Sequence, residues 1–379
     1  MIVIADDITG AAEIAGIAHS HGNQVRLICS NSVDDSGAAD DDSVAANNIL
    51  VIATDTRSMT EAEAIAETRR VASFLKAISS HRHILFFKKT DSALRGHVVA
   101  ELATLMEAIG CRRTVYLPAN PSKGRIIRAG TYFIKGVPLH ETDFNFDPEF
   151  PAKTAVLRER FPDAEEKGII MPDAENEEAL HSAIQEYNDG QTLFAGAADL
   201  FTALLSLTSQ ENKLHHGACQ SSNSQGAKTA VPPQASTLIL CGSTQSKPLG
   251  LGIPVCEMPQ AVYDGKKGAD EWYAALKVHP NLLTALILTT PYHYRNGKEV
   301  AVYLRTVMAG MASHLVARRV PDHLIIEGGA TAWATLQELG WTQFEVVQQT
   351  APGVVLMRAK CGTFVTLKPG SYPWGNMFR

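Results

Sequence analysis

The sequence begins MIVIADDITGAAEIAGIAHSHGNQVRLIC (residues 1–29), and this stretch decides the fold class. An unbroken apolar run over residues 1–5 predicts a buried strand, and apolar residues then recur at helical spacing over 11–18. A second apolar run follows over residues 24–29. Strand, helix and strand in this order predict a unit in which a helix joins two parallel strands.

The same alternation continues along the first half of the chain. Apolar runs over residues 49–53, 83–88 and 113–117 predict further strands, with residues at helical spacing between them. Repeated alternation of this kind predicts an α/β architecture, in which a mostly parallel sheet is flanked by helices. Because ligands of such sheets bind beyond the carboxyl ends of the strands, we expect functional side chains there.

The alternation stops in a stretch rich in Ser, Gln, Asn and Gly that ends with two prolines, and it then resumes. Such a composition does not build a core and is typical of a linker. Beyond it, apolar runs predict strands over 236–241, 284–289 and 323–327, and helical spacing predicts helices over 298–317 and 329–339. The sequence therefore predicts two α/β domains in this order: 1–207 as the first domain, 208–235 as a linker or surface loop, and 236–379 as the second domain.

The composition is that of an ordinary globular protein, with 379 residues, 45% hydrophobic and 20% charged, and a formal net charge of -6. Five aspartates lie within residues 34–42, so the acidity is local and gives no reason to expect nucleic acid as a partner. The six cysteines have no paired spacing, which argues against a disulfide framework or a structural zinc site. No apolar run reaches the roughly 20 residues of a membrane span, and the start does not resemble a secretory signal, so we predict a cytoplasmic protein without a membrane partner.

Two adjacent carboxylates, Asp6 and Asp7, follow the first predicted strand within ADDITG, residues 5–10. One of them could cap the helix that we predict to begin near Thr9, since Asp is common before a helix. A pair of carboxylates at the carboxyl end of a strand can also bind substrate hydroxyls or accept a proton. We favour a functional role because two other predicted strands also end in charged residues.

Asp55 and Arg57 follow the predicted strand over 49–53, in the sequence TDTRS. An arginine after a strand is usually a surface residue or a member of an ion pair. At the same sheet edge as Asp6 and Asp7, its planar fork also suits a bidentate contact with a carboxylate.

The predicted strand over 83–88 leads into KKTDSALRGH, residues 88–97, which is dense in polar groups. These groups are Lys88, Lys89, Asp91, Ser92 and Arg95. Asp91 or Ser92 could cap a helix begun by ALRGHVVAEL (93–102), and an ion pair would complete that structural interpretation. Capping needs neither the lysines nor the arginine, so we predict a binding or catalytic site where the three strands end.

In the second domain, the predicted strand HLIIE is followed by Gly328 and Gly329 and then by a helix. Paired glycines allow the backbone to approach a ligand, and the amides that open a helix can bind phosphate oxygens. CGSTQS (241–246) and LKPGSYP (367–373) add two small-residue turns after strands. The sequence contains no GxxxxGK[ST] loop, GxGxxG fingerprint, GxSxG elbow or HExxH motif.

These motifs together resemble the four-carbon acid sugar kinase family. The resemblance rests on ADDITG, DTRS, KKTDSALRG and GTYFIKGVPLHETDFNFDPEFP (130–151) in the first half and on GGATA, APGV and LKPGS in the second. It covers nearly the whole chain in the family's order. It implies ATP-dependent phosphorylation of a four-carbon sugar acid such as threonate, erythronate or a 3-oxo acid of that class. The sugar acid would bind the first domain and ATP the second, with the active site in the cleft between the domains.

Carried over motif by motif, the resemblance implies two sets of contacts. The sugar acid would be bound by an aspartate of ADDITG (Asp7, with Asp6 as the alternative) and by Arg57, Lys89, Thr90, Asp91 and Ser92, and we add Arg95 from the same turn. ATP would be bound by Ser243, Gly328, Gly329, Ala330, Thr331, Gly353 and Gly370. Arg125 stands where the family has a recurrent arginine, and the resemblance implies no role for it.

Phosphoryl transfer needs an acceptor oxygen in line with the γ-phosphate, neutralisation of charge and a route for the hydroxyl proton. We expect Arg57 and Lys89 to hold the substrate carboxylate and the transferring phosphoryl group, and Asp91 or Asp7 to orient the hydroxyl and take its proton. Magnesium would bridge the nucleotide phosphates through waters and few protein ligands, none of which the sequence identifies. Closure of the two domains would exclude water.

Two other functions remain open. The family's glycine turn usually carries an acidic residue where this chain has Ala330, and a second Ser or Thr where it has Gln245. A sugar-acid-binding protein with weakened kinase activity is therefore one alternative. An NAD-dependent oxidoreductase on the same architecture is the other, although the dinucleotide fingerprint is absent. The sequence does not decide the oligomeric state, and a homo-oligomer is compatible with it.

Overall fold

A computed structural model gives the protein as two compact units, Met1–Gly226 and Ala227–Arg379. The division falls inside the predicted linker. The structure describes residues 1–33, 48–79, 84–147, 149–215, 231, 235–242, 249–276, 285–290, 297–370, 372–375 and 377–378.

The first unit contains a seven-stranded sheet, a small three-stranded sheet and helices. Its strands are β1 (Ile2–Ala5), β2 (Gln24–Cys29), β3 (Asn48–Ala53), β4 (Phe86–Lys89), β5 (Arg113–Leu117), β6 (Arg125–Arg128), β7 (Thr131–Ile134), β8 (Val137–Pro138), β9 (Ile169–Ile170) and β10 (Thr192–Gly196). Its helices are α1 (Ile8–Ser20), α2 (Glu61–Ser79), α3 (Val98–Ile109), α4 (Leu157–Arg160), α5 (Glu177–Tyr187) and α6 (Ala198–His215). The large sheet has the order β2-β3-β1-β4-β10-β5-β9 with all neighbours parallel, and β6, β7 and β8 form an antiparallel sheet. The five strands predicted for this part of the chain are confirmed.

Burial on both faces explains why β1 is apolar throughout. The strand lies between β3 and β4, and Ile2, Val3 and Ile4 are each at most 1% exposed. α1 follows β1 and buries small side chains such as Ala11 and Ala15, which allow the helix to lie close to the sheet.

The chain reverses its direction across the sheet between β1 and β4. It leaves β1 through α1 toward β2 on one side, and it leaves β4 through α3 toward β5 on the other. The loops that follow these two adjacent strands therefore diverge, and the crevice at such a point is the usual ligand site of an open α/β sheet. Asp6, Asp7 and residues 90–92 follow the two strands at this point.

The helix predicted from residue 93 begins at Val98 instead. The Asp91 side chain accepts hydrogen bonds from the backbone amides of Ala93 (3.1 Å) and Arg95 (3.3 Å), and these bonds hold a turn where a helix was predicted. Leu94 adopts a positive φ of 61°, outside the right-handed helical region. Capping of this helix by Asp91 or Ser92 is therefore wrong.

The first unit continues as a helix beyond the predicted domain boundary. α6 ends at His215, so residues 208–215 of the predicted linker are helical. Composition alone does not separate the polar end of a helix from a linker. Residues 216–230 of the predicted linker lie outside the described residues.

The second unit contains one mixed sheet with helices. Its strands are β11 (Thr237–Cys241), β12 (Val255–Glu257), β13 (Ala285–Thr289), β14 (His323–Glu327), β15 (Gln343–Ala351), β16 (Val354–Ala359) and β17 (Phe364–Lys368). Its helices are α7 (Gln260–Tyr263), α8 (Ala269–Ala274), α9 (Lys298–Arg318) and α10 (Gly329–Glu338). In the order β12-β13-β11-β14-β17-β16-β15, the first five strands are parallel neighbours, and β16 is antiparallel to both β17 and β15. The predicted fold class, two α/β domains each with a mostly parallel sheet, is confirmed.

Among the described helices, α9 is the one long and apolar enough to cross a membrane. Part of its surface is buried within the second unit, through residues that include Leu304, Met308, Met311 and Leu315. A helix with such a buried face is typical of a protein core.

A buried histidine at the start of β14 makes the stability of the second unit depend on pH. Burial lowers the pKa of His323 from 6.5 to about 4, and its Nε2 lies 2.8 Å from Thr366 Oγ1. The unfolded chain takes up the proton first as pH falls, so stability present above about pH 6.5 is lost toward pH 4. Between pH 7.5 and 4.5, the parent protein should therefore lose about 2 kcal/mol more unfolding free energy than His323→Gln loses.

Urea denaturation of both proteins at the two pH values measures this difference. His181→Gln is the matched control, because this histidine lies half-buried on α5 beside exposed Glu177. Equal pH dependence of the parent protein and His323→Gln would contradict the prediction.

Candidate functional site

Three adjacent strands of the first unit, β3, β1 and β4, end at one level of the sheet. In their register, Ala5 lies opposite Ala53 on one side and Lys89 on the other. The polar residues that follow the three strands are therefore neighbours, as predicted. We call their charged side chains the charged edge, which comprises Asp6, Asp7, Arg57, Lys89, Asp91 and Arg95.

Arg57 occupies the centre of the charged edge. Its Nε and Nη2 donate to the two oxygens of Asp6, at 3.1 and 2.8 Å, and Nη2 also donates to Asp7 Oδ1 at 3.0 Å. Nη1 lies 3.7 Å from Asp91 Oδ1. Burial raises the pKa of Asp6, with Arg57 opposing that shift. The carboxylates hold the pKa of the Arg57 guanidinium well above its ordinary value even though burial would lower it. The bidentate partner of Arg57 is thus Asp6, which matches the ion-pair interpretation.

Asp7 combines a structural contact with an anionic side chain. Its Oδ1 accepts a hydrogen bond from the Gly10 amide at 3.0 Å, so it is the N-cap of α1, and Thr9 Oγ1 donates to Oδ2 at 2.5 Å. Burial would raise the pKa of Asp7, but Arg57 and Lys89 outweigh it and the pKa is lowered. Asp7 is therefore ionised at neutral pH and able to accept a further hydrogen bond.

The carboxylate of Asp91 is held more tightly than that of Asp7, because Arg95 binds both of its oxygens. Arg95 donates to its two oxygens from Nε at 2.7 Å and from Nη2 at 3.1 Å. Burial would raise the pKa of Asp91, yet Arg95 and Arg57 hold it well below its ordinary value. Arg95 also reaches Asp147 at 3.5 Å, a carboxylate that the sequence reasoning missed. Asp91 is consequently a fixed anion with little tendency to take a proton.

Lys89 is 4% exposed and lies beside an acidic residue of α1. Its Nζ donates to the Thr90 carbonyl at 2.9 Å and lies 3.8 Å from Glu13 Oε2. Lys123 Nζ donates to Glu13 Oε1 at 2.6 Å. The sequence reasoning missed Glu13, although an acidic residue among the small and apolar residues of α1 was a usable signal.

Three side chains outside the charged edge, Arg125, Tyr132 and Phe144, lie around Ser92 and Arg95. Arg125 Nη1 donates to Ser92 Oγ at 2.5 Å, and Tyr132 Oη donates to the Ser92 carbonyl, also at 2.5 Å. The guanidinium groups of Arg95 and Arg125 each lie 5.7 Å from the centre of the Phe144 ring. The motif at 130–151 therefore contributes an aromatic side chain to the site.

A buried ion pair supports the edge from within the unit. Lys88 Nζ donates to Glu101 Oε2 at 2.5 Å, and the two side chains are 1% and 2% exposed. Thr56 Oγ1 donates to the same oxygen at 2.7 Å and lies 3.0 Å from Thr54 Oγ1. Thr54 in turn donates to the Ala5 carbonyl at 2.9 Å. This chain of contacts joins α3 to the ends of β4, β3 and β1, directly before Arg57.

In the second unit, the chain reverses direction between β11 and β14, because β11 leads toward β12 and β14 leads through α10 toward β15. Gly242 and Gly328 follow these two strands. Gly328 has a φ of 98°, which favours glycine, and it lies directly before α10. A Cβ atom on Gly242 would collide with Oγ1 of buried Thr331 and lie 2.6 Å from its Cγ2. The first turn of α10 therefore packs against the backbone of the neighbouring turn.

The turn that follows β17 in the second unit begins at a second buried ion pair. Lys368 Nζ donates to Glu327 Oε1 at 2.5 Å and to the carbonyls of Pro369 and Gly370 at 3.0 and 3.3 Å. It also lies 4.9 Å from the Trp374 ring. The sequence reasoning gave no role to Glu327 or Lys368.

The predicted nucleotide contacts fall into two groups. Gly328, Gly329, Ala330 and Thr331 open α10, with Ala330 exposed. Gly353 lies in the turn between β15 and β16, and a Cβ atom on it would collide with the Tyr372 ring, so this turn and the segment after Gly370 pack together. The position of Ser243 lies outside the described residues. Within the described part of the chain, no group of three His, Cys, Asp or Glu side chains could hold a metal ion.

Family models match both parts of the chain. A model described as a sugar-binding N-terminal domain matches residues 1–191, and one described as a nucleotide-binding C-terminal domain matches residues 271–372. The charged edge lies in the first match, and the turns at Gly328, Gly353 and Gly370 lie in the second. The turn at Gly242 lies in neither match.

Curated proteins and a solved structure are similar to this chain. A 3-oxo-tetronate kinase of Brucella melitensis is 27% identical over 398 residues, which cover 94% of this chain and 88% of the relative. A D-threonate kinase of Salmonella typhimurium is 30% identical over 233 residues, or 54% of this chain and 53% of the relative. A crystal structure of a Salmonella typhimurium LT2 protein superposes with a TM-score of 0.72 at 20% identity and covers 100% of this chain and 97% of that one.

The buried pair Lys88–Glu101 predicts an asymmetric response to substitution. Lys88→Met would leave Glu101 as a buried carboxylate without its counter-charge, so we expect a loss of about 3–5 kcal/mol in unfolding free energy. Adding Glu101→Gln should recover most of that loss, because the neutral amide can still accept the Thr56 hydrogen bond.

Urea denaturation measures both variants. Arg128→Met is the matched control, since it breaks the exposed pair Arg128–Glu175 and should leave the midpoint nearly unchanged. A single variant as stable as the parent protein, or a double variant no better than the single one, would contradict this account.

Proposed function

The chain belongs to the four-carbon acid sugar kinase family, and on that premise we propose that it transfers the γ-phosphate of ATP to a hydroxyl of a four-carbon sugar acid. The observation that carries the proposal is the charged edge at the reversal point of the first unit, where Asp7 and Asp91 are anionic beside Arg57, Lys89 and Arg95. Such an edge can accept hydrogen bonds from sugar hydroxyls and balance the charge of an acid. The names of the two matched domains and of the kinase relatives support the same reaction.

We assign different roles to the two ionised aspartates. Asp91 is fixed by the fork of Arg95 and has the more strongly lowered pKa, so it would orient the acceptor hydroxyl. Asp7 keeps the greater proton affinity and would accept the hydroxyl proton. Because proton transfer is late when the transition state is loose, a carboxylate of modest basicity suffices. Lys89 would balance charge on the transferring phosphoryl group.

The nucleotide would bind the second unit. Backbone amides that open α10, after Gly328, can hold phosphate oxygens. Magnesium would arrive with those phosphates and keep several waters. Lys89 and the aspartates are already paired within the protein, so no resident metal is needed to hold the edge together.

Several expectations from the sequence stay predictions. They are the meeting of the two ligands in a cleft between the domains, the cytoplasmic location, the lack of nucleic-acid and membrane partners, and the compatibility with a homo-oligomer.

A substrate screen tests the proposed reaction directly. The protein would be incubated with ATP, magnesium and each of threonate, erythronate and a 3-oxo-tetronate, and ADP release would be followed. We expect turnover with at least one acid. Acid binding without ADP release would favour the weakened binding protein, and binding of a nicotinamide cofactor in place of ATP would favour the oxidoreductase.

Asp7→Asn separates the charge of Asp7 from its structural contact. Asparagine caps helices as well as aspartate does, so α1 should remain intact while the proton acceptor is lost. We expect kcat to fall by about 10²–10⁴-fold and the KM for ATP to change by less than about threefold.

The matched control for this variant is Asp163→Asn, which changes an exposed carboxylate of the same unit and should leave kcat unchanged. Turnover of Asp7→Asn close to that of the control, with unchanged thermal melting, would reject Asp7 as the proton acceptor.

Gly242→Ala tests the nucleotide assignment. The added methyl would collide with Thr331 and displace the first turn of α10, so we expect the KM for ATP to rise at least tenfold while acid binding to the first unit persists. Thr331→Gly in the same chain removes the colliding atoms and should restore part of the affinity. Unchanged ATP affinity in Gly242→Ala would place the nucleotide elsewhere.

A further inference from the structure

We propose that Arg125 binds the carboxylate group of the sugar acid, an inference that rests on the proposed function. Arg125 begins β6 and sits beside Ser92, which directly follows Asp91. A carboxylate on Arg125 would therefore bring the hydroxyl-bearing carbons of the acid beside Asp91 and the rest of the charged edge.

Charge balance distinguishes Arg125 from the other cations around the site. Most described cations around the site already have a carboxylate partner within 4 Å: Arg57 has Asp6 and Asp7, Arg95 has Asp91, Lys88 has Glu101, and Lys89 and Lys123 share Glu13. Among the residues that the structure describes, Arg125 has no carboxylate within that distance. Its contacts are the neutral Ser92 hydroxyl and the Phe144 ring.

Arg160 is the other described arginine nearby without a carboxylate partner, and it differs in one respect. All three of its guanidinium nitrogens donate to backbone carbonyls, Nε and Nη2 to Leu94 and Nη1 to Pro151. Arg125 uses Nη1 alone, so its other nitrogens have donor capacity for a ligand.

The guanidinium fork of Arg125 has the pair of donors that other arginines of the site use to bind carboxylates. Arg57 binds Asp6 and Arg95 binds Asp91 through the same pair of atoms, Nε and Nη2. In Arg125 that pair donates to no other group of the described chain, because Ser92 takes Nη1. A planar carboxylate fits this pair of donors as the two aspartates fit theirs.

Arg57, which the sequence predicted to help hold the substrate carboxylate and the phosphoryl group, is less suited than Arg125 to bind the carboxylate. Taking its fork from Asp6 would leave a carboxylate that is 2% exposed without its counter-charge, which is strongly unfavourable. A substrate carboxylate on Arg125 displaces no partner of this kind.

The position of Arg125 is itself fixed. Its backbone exchanges two hydrogen bonds with buried Asn120, at 2.8 and 3.1 Å. Its partner Ser92 is held from the other side by Tyr132, which is fully buried. The guanidinium is therefore set in place before a ligand arrives, which reduces the ordering that binding would require.

The test compares Arg125→Gln with the parent protein on two ligands: the acid among threonate, erythronate and a 3-oxo-tetronate that the parent protein binds most tightly, and the polyol in which the carboxylate of that acid is reduced to an alcohol. We expect the dissociation constant for the acid to rise at least 100-fold by calorimetry and that for the polyol, measured by competition, to change less than threefold. The KM for ATP should stay within threefold. Arg125→Lys, which keeps the charge but not the fork, should lie between the two.

Arg128→Gln is the matched control, because it changes the exposed arginine of the same strand. Acid affinity of Arg125→Gln within threefold of the parent protein, or an equal loss for acid and polyol, would overturn the inference. If Arg125→Gln melts at a much lower temperature, Arg125→Lys gives the same comparison. A parent protein that releases no ADP with any acid would defeat the proposed function alone, since calorimetry with the acids still decides the role of Arg125.

Discussion

Charge neutralisation around one guanidinium, that of Arg57, determines the arrangement of the candidate substrate site. Three carboxylates from the ends of two strands face it, and Asp6 is too deeply buried for water to compensate its charge. Without Arg57, Asp6 would lose its bidentate partner, and the repulsion among the three carboxylates would no longer be balanced by a shared cation. Asp91 would keep the fork of Arg95, and Asp7 would keep its contacts with Gly10 and Thr9. The fork of the guanidinium fixes the planes of Asp6 and, through shared contacts, the direction of Asp7.

Each unit uses a buried lysine and glutamate to fix an edge of its sheet. Lys88 with Glu101 and Lys368 with Glu327 both have contacts of 2.5 Å, and all four side chains are at most 3% exposed. Burying such pairs adds little net stability, because desolvation offsets the attraction between the charges. We interpret their role as geometric: the first pair anchors the turn before Arg57, and the second anchors the turn after β17.

The sequence predicted the strands because their buried residues are mostly apolar, although β4 ends in two buried lysines, Lys88 and Lys89. It did not predict the pairing of Arg57 with Asp6, since the two are 51 residues apart and become neighbours only through the order β3-β1-β4. The prediction of a helix from residue 93 was wrong for a local reason. The Asp91 carboxylate accepts hydrogen bonds from the amides of Ala93 and Arg95 and so holds a turn there. Glu101 and Glu13 were missed because an acidic residue in a helix is usually solvent-exposed.

The sharing of Arg57 among three carboxylates restricts how this protein can evolve. A neutral residue at position 57 would leave Asp6, Asp7 and Asp91 without their common counter-ion, whereas loss of any one aspartate leaves the arginine with two partners. The effects of substitutions here are therefore strongly epistatic, and the order in which they occur matters. Lineages that drift toward a new substrate would change the aspartates first and the arginine last.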